Sequence, residues 1–474
     1  AAPVPSPIKP DALFGMPLSS STYERGNLMT TSNTRYAAAS TASLWAVLPI
    51  LATTQDAQGA ILEETRLYYD NLAFGTLGPK GKLTTIETLA GTLRVTQTAS
   101  YNADGNLTML RDGLGNPTTA TYDASGLRLQ SITNALNQTS TFTYTARGEL
   151  AAQRDPNFAV TLYEYDSFGR LITVASPPNG GGATTLNNWS AKYEYNLAYS
   201  TSAGEPKIQI VSVVCEAEPC STYNRPTVAY YDGLGRAIQS REETKDGTEM
   251  RVVDTKYDEL GRVAWQSVPV TQSSATVNGP TFKGYVAPNW GALAKTTTTY
   301  DALGRPKVIT GPDGGQVRHW YVPDTGTSYG YVPTGLAAHT SADQNNQGTH
   351  QVTDGLGRLV LMRELTRTGS LQTMYAETRY GYDASGKLTN VTDALGNVTT
   401  IQYDPLGRKA GMIDLDMGAW TYGYNVLGQL ITQTDALGQV MSYGYDALGR
   451  MTWKAGAGTT LATYTYDQGA NGIG

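Results

Sequence analysis

Apolar and polar residues alternate along this chain in short runs bounded by Asp and Gly. No segment holds an apolar 3.6-residue period long enough for a helix. The run VTTIQY at 398–403 is β-branched and aromatic, which is strand chemistry. In QVMSYGY at 439–445 the alternation sets Tyr443 and Tyr445 on one face. The amphipathic contrast is weak throughout, as in a sheet whose two faces are both half wet. The pattern predicts strands joined by tight turns along most of the chain.

Self-comparison shows the turns to be copies of one string. Six copies are complete. They carry Tyr165, Asp166, Gly169 and Arg170; Tyr231, Asp232, Gly235 and Arg236; and Tyr257, Asp258, Gly261 and Arg262. The others carry Tyr300, Asp301, Gly304 and Arg305; Tyr403, Asp404, Gly407 and Arg408; and Tyr445, Asp446, Gly449 and Arg450. Relatives stand at 382–387 (YDASGK) and 424–429 (YNVLGQ), with weaker ones at 101–106, 122–127 and 144–149. TDGLGR at 353–358 has lost its Tyr.

Tyr101, Tyr122, Tyr144 and Tyr165 are 21, 22 and 21 residues apart, and Tyr382, Tyr403, Tyr424, Tyr445 and Tyr466 are each 21 apart. From Tyr231 to Tyr382 the copies stand 26–53 residues apart, and Tyr165 to Tyr231 is 66, which implies insertions. A second turn begins at Asp112, Asp393 and Asp435, ten residues after the Asp or Asn of the main motif. Each unit is therefore two turns and two strands. The chain divides into a lead-in at 1–99, regular repeats at 100–170, repeats with insertions at 171–381 and regular repeats at 382–474.

Each motif residue has a local role. Asp caps a turn with its side chain, and Gly supplies a positive φ. Leu before the Gly is expected to tuck under the hairpin. Tyr closes the incoming strand with a ring and a hydroxyl able to reach a partner. Arg opens the return strand, its stem packing and its head pairing with the Asp of a neighbouring turn. Tyr, Asp and Arg also line sugar sites, but a dozen nearly identical copies look like a wall pattern.

The period is too short for a propeller blade, and the leucine-rich repeat pattern is missing. The expected fold is all-β: tandem hairpins of about 21 residues in one long spiralling antiparallel sheet, part of a hollow shell. Roughly 40 strands about 4.8 Å apart give a ribbon near 200 Å long. Such a ribbon must coil and cover its edges. Closed on itself it leaves a cavity about 15 Å in radius, small beside a compact 100-residue domain. A share in a larger wall fits this length better than a complete container.

Composition adjusts the picture only slightly. Tyr is the outlier, with 31 against 6 Phe. The net charge of −6 and pI near 5.3 argue against nucleic acid as a partner. Cys215 and Cys220 suit either one disulfide across a hairpin loop or two free thiols. His319, His339 and His350 share one irregular stretch, but their spacing does not recommend a metal site.

No other constellation promises chemistry. Asp414 and Asp416 form a vague carboxylate pair, better read as turn residues, and GGG at 180–182 lacks the Lys-Ser/Thr of a phosphate loop. The aromatic stretch 318–350 is where a small-molecule or glycan site is first expected. No membrane span is expected, since LWAVLPILA at 44–52 is nine residues with Pro49 inside. No signal peptide is recognisable at AAPVPSPIKP, so the chain reads as starting inside something longer.

The tandem YDxxGR units over 100–474 resemble the YD repeats of Rhs proteins, of the B and C subunits of insecticidal Tc toxins, and of teneurins. ETRLYYDNLAFGTLGPKGKLTTIE at 64–87 resembles a segment preceding the repeats in Tc-toxin B subunits. The resemblance implies a secreted or bacterial cell-surface shell that encloses a C-terminal toxin polypeptide absent here. It implies as partners the remainder of that shell and other toxin-complex subunits, and no cofactor.

In that family a core reading Pro, four residues, Asp-Pro-x-Gly releases the toxin by self-cleavage. Asp404-Pro405-Leu406-Gly407 imitates it, but Thr399 stands where Pro belongs and further repeats follow. No protease residue carries over, so a non-enzymatic role is expected, with the chain ending at YDQGANGIG inside another unit. The main alternative is a cell-surface adhesion or glycan-binding module. An enzyme built on the insertions at 171–381 is a third reading.

Overall fold

The structure is a computed structural model describing residues 16, 18–24, 27–41, 44–177, 184–186, 189–200, 206–214, 226–244, 249–273, 285, 287–323, 337–345, 347–368, 371–468 and 472. Within these residues there are 35 β-strands and no helix. The strands make two long antiparallel sheets. The strand Glu249–Tyr257 serves both: its first half pairs with Val270–Ser273 in one sheet, and its end pairs with Val263–Ser267 in the other.

Sequence-adjacent strands pair as hairpins. Val398–Tyr403 pairs with Lys409–Asp414, which pairs with Gly418–Tyr424, and so on to Thr459–Thr463. At each YD turn the register slips by one residue just before the Tyr, as at Gln402/Tyr403 and Gly444/Tyr445. Beyond the slip lies a three-residue hairpin loop, a type I turn closed by a left-handed residue. The left-handed residues are Gly407 and Gly449, with φ of 79° and 82°. A side chain there would press Cβ against backbone, so the turn selects Gly.

The chain folds as two compact units. Unit 1 comprises 1–139, 321–339 and 349–474, and unit 2 comprises 140–320 and 340–348. In unit 1 the lead-in strands enclose a core where Ala37, Ile50 and Tyr69 pack with Leu48, Leu67, Phe74 and Leu83. The loop after Tyr69 wraps the Asp70 carboxylate, which accepts backbone N–H groups from Lys80, Gly81 and Lys82.

Unit 1 also brings the two regular arrays together. A Cβ built on Gly91 would lie 3.1 Å from Pro405 Cγ, and one on Gly113 would lie 3.5 Å from Val426 Cγ2 and 3.6 Å from Leu427 Cδ2. Gln138 Nε2 donates to Asp467 Oδ2 at 2.8 Å. So the lead-in turn at Gly91 and two half-repeat turns of the first array sit against YD turns of the last.

Unit 2 buries Trp189, Val228 and Tyr230 with Tyr285 packed on them, and also Met250 and Val252. Elsewhere in both units most strand residues are half-buried on either face, the weak amphipathicity seen in the sequence.

Candidate functional site: the Asp-Arg-Tyr rail

Each YD turn is organised by its Asp. In the turn at 231–236, Asp232 Oδ1 accepts the N–H groups of Leu234 (2.9 Å) and Arg236 (3.0 Å). Its Oδ2 accepts Arg236 Nε and Nη2, both at 2.7 Å. The same arrangement joins Asp166 to Arg170, Asp258 to Arg262, Asp301 to Arg305, Asp354 to Arg358, Asp404 to Arg408 and Asp446 to Arg450.

This corrects the expected pairing with a neighbouring turn. The three-residue loop brings residues i and i+4 of one turn side by side, so the nearest carboxylate is the Arg's own. Two copies do both. Arg450 also grips Asp467 of the next turn with Nη1 and Nη2 (2.9 and 2.7 Å), and Arg408 Nη1 donates to the Asn425 carbonyl at 2.6 Å.

The Arg then reaches the following Tyr. Guanidinium carbons lie over the next ring for Arg170–Tyr195 (4.6 Å), Arg236–Tyr257 (4.6 Å), Arg262–Tyr300 (4.4 Å), Arg408–Tyr424 (5.0 Å) and Arg450–Tyr466 (4.4 Å). That Tyr in turn donates its hydroxyl to the carbonyl just after the same Arg. Tyr257 bonds the Ala237 carbonyl, Tyr300 that of Val263, Tyr424 that of Lys409 and Tyr466 that of Met451, all at 2.7–2.9 Å. Tyr403 and Tyr445 do the same to Leu388 and Leu430 at 2.8 Å, where Lys387 and Gln429 replace Arg.

Asp holds Arg, Arg holds the next Tyr, and Tyr holds the backbone beside that Arg. In these repeats the motif is a rail from one turn to the next, broken after Arg305, where Thr353 stands in place of the Tyr. It starts before the repeats, since Tyr69 bonds the Pro49 carbonyl and Tyr101 that of Leu83, both at 2.8 Å.

Electrostatics agree with this division of labour. The backbone N–H of Arg262, outweighing the opposing effect of burial and joined by the guanidinium, holds Asp258 below the usual carboxylate range. Arg305 does the same to Asp301. Both carboxylates of these turns are committed to N–H and guanidinium partners, which leaves them poor general bases.

Sequence reasoning missed Tyr195, which continues the rail from Arg170 by bonding the Leu171 carbonyl at 2.9 Å. Its only signal was the pair Tyr195-Asn196, because no Gly-Arg follows. The Leu positions also depart from expectation. Leu234, Leu260 and Leu303 stand exposed at the turn tips rather than tucked beneath them. The Asp carboxylate takes the backbone N–H at that position, which turns the side chain outward.

The remaining candidates are dispersed. Asp414 Oδ1 accepts the N–H groups of Asp416 and Met417 (3.0 and 3.1 Å), and Oδ2 accepts the Thr399 hydroxyl at 2.6 Å, so it caps its turn. His339 stacks on Tyr321 with ring centroids 4.8 Å apart, and His350 is buried. Among the described residues no three His, Cys, Asp or Glu side chains gather as metal ligands. Cys215, Cys220, 180–182 and 324–336 lie outside the described residues. Unit 2 also holds a buried chain in which Arg241 Nε donates to Gln239 Oε1 at 2.8 Å and Gln239 to Asp254, whose carboxyl burial pushes up.

The Rhs-repeat family matches residues 122–157, 144–181, 382–416 and 424–455, and a domain of unknown function, DUF6443, matches 215–300. A search of curated protein sequences finds no match. Among solved structures, a TcdB2–TccC3 complex is similar at a TM-score of 0.71 and 14% identity, over 92% of this chain and 27% of that one. The Tc holotoxin pore of Photorhabdus luminescens is similar at 0.71 and 14%, over 92% and 29%. The same TcdB2–TccC3 complex without its hypervariable C-terminal region gives 0.69 and 14%, over 90% and 29%. This chain thus spans under a third of the length of those chains and shares their fold. The chain therefore carries Rhs repeats over 122–181, 382–416 and 424–455, set in the fold it shares with those structures.

Proposed function

We propose that this chain is a wall segment of a secreted YD-repeat toxin shell that encloses a polypeptide and assembles with further toxin-complex parts. The observation that carries the reading is the rail itself. A container wall must stay continuous while individual hairpins lengthen, and the rail contacts persist across insertions of very different size. Tyr424 reaches back 15 residues to its carbonyl, Tyr195 reaches 24 and Tyr300 reaches 37, all within 0.2 Å of one another in bond length. The carboxylates that could have done chemistry are instead consumed in holding turns. The fold shared with the Tc-toxin structures supports the same reading.

The test is protection. In the protein carrying its C-terminal polypeptide, that polypeptide should resist added protease while the sheet is folded and become sensitive once denaturant opens it. Digestion at the rate of the free polypeptide would remove the container reading.

A further inference from the structure

The rail is also interrupted where its charge is reversed. In the turn at 144–149, Thr145 and Glu149 stand where complete copies carry Asp and Arg. The backbone closes as it does elsewhere. The Thr145 N–H meets the Glu149 carbonyl at 2.8 Å, and Gly148 is left-handed with a φ of 99°. Glu149 then takes the guanidinium's place. Its Oε1 lies 3.7 Å from a Cβ built on Gly169 of the next turn, the same distance as Arg262 Nη1 from one built on Gly304. Its Oε2 accepts the Thr145 hydroxyl.

The next tyrosine responds to the change. Where the Arg position holds Asn106, Lys387 or Gln429, the following Tyr122, Tyr403 and Tyr445 still donate to the carbonyl just after it, at 2.8–3.0 Å. The Tyr165 hydroxyl makes no hydrogen bond among the described residues. The negative face of an aromatic ring repels an anion, so Glu149 cannot seat that ring as Arg does. A cleft of about 550 Å³ opens between the two turns, lined by Thr145, Arg147, Glu149, Tyr163, Tyr165 and Ser167. Arg147 bridges the turns, donating Nη1 to the Ser167 carbonyl at 3.0 Å.

We infer that this cleft binds an arginine side chain of another polypeptide, its guanidinium pairing with the Glu149 carboxylate and lying against the Tyr165 ring. The same three groups meet inside the chain in other copies, as Asp258, Arg262 and Tyr300 do. Here the chain supplies the acid and the ring, and the cation comes from outside. Arginine suits the site better than lysine, because a planar guanidinium pairs with a carboxylate through two N–H groups while its face stacks on a ring. The volume is that of a ligand pocket, with room for the backbone that carries the side chain. The inference does not rest on the toxin-shell reading.

Ligand-detected NMR titration of the full chain tests it, with N-acetyl-arginine amide as the probe and N-acetyl-citrulline amide as its uncharged match. The arginine probe should bind saturably in the millimolar range, and the citrulline probe about fivefold more weakly or worse. Glu149→Gln should weaken the arginine probe to a similar degree. Gln429 already holds this position in another turn, so that variant should fold. Thr145→Asp combined with Glu149→Arg completes the motif, and should abolish binding while raising the urea midpoint. Absence of saturable binding, equal binding of the two probes or wild-type affinity in Glu149→Gln overturns the inference. So does a completed motif that still binds the arginine probe.

Discussion

Tyr300 donates its hydroxyl to the carbonyl of Val263 at 2.7 Å, across 37 residues of chain, with its ring under the Arg262 guanidinium at 4.4 Å. Tyr424 makes the same pair of contacts with Lys409 and Arg408 across 15 residues. The intervening chain can grow because both ends of the contact are fixed by turns, not by the length between them. Lengthening a loop costs little entropy once its ends are held.

Removing one hydroxyl isolates the rail's hydrogen bond. Tyr424→Phe and Tyr445→Phe should each lower stability by about 1 kcal/mol, the usual net worth of one such bond. Urea denaturation checks this, with an unchanged m-value expected because the ring still packs.

The turn glycines bear a separate load. Gly407 has a φ of 79°, and an added Cβ would also come 2.7 Å from Lys387 Cε. Gly407→Ala should cost roughly 1–2 kcal/mol from backbone conformation, since the flexible Lys can move aside. Gly233→Ala lies in a turn with open space around its Cβ. It serves as the control and should shift the urea midpoint far less.

The turn carboxylates set an acid limit. The folded pKa of Asp258 and of Asp301 lies below the ordinary value, chiefly because of the N–H groups of Arg262 and Arg305. The unfolded chain therefore takes up protons first as pH falls. The stability these groups contribute is complete above the unfolded value of about 3.9 and is lost as pH drops from there through the lower folded value. Urea midpoints measured from pH 7 downward should hold until about pH 4 and then fall. Asp258→Asn should flatten that fall.

Much of this was legible in the sequence because turns are local. Asp at the first position and Gly at the fourth fix a turn from five residues, and the 21-residue spacing then counts the hairpins. What a local rule could not reveal was which Asp each Arg would choose. Linear spacing leaves the neighbouring turn open, whereas the closed loop sets Arg236 beside Asp232. The tip leucines were misjudged for a related reason: hydrophobicity suggested burial, yet the carboxylate's claim on the Leu234 N–H turns that side chain outward. Tyr195 was hidden because only its contacts with Arg170 and the Leu171 carbonyl mark it as part of the rail. The packing of Val426 and Leu427 on Gly113 joins residues more than 300 apart, beyond any repeat arithmetic.

The central claim is that Arg and the following Tyr are energetically coupled across an insertion. A double-mutant cycle on Arg262→Ala and Tyr300→Leu measures that coupling, with Arg262→Ala and Tyr466→Leu as the distant control. The rail predicts that the Arg262 and Tyr300 effects fail to add by at least about 0.5 kcal/mol, while the control pair adds. Additivity within about 0.3 kcal/mol at Arg262 and Tyr300 would contradict it.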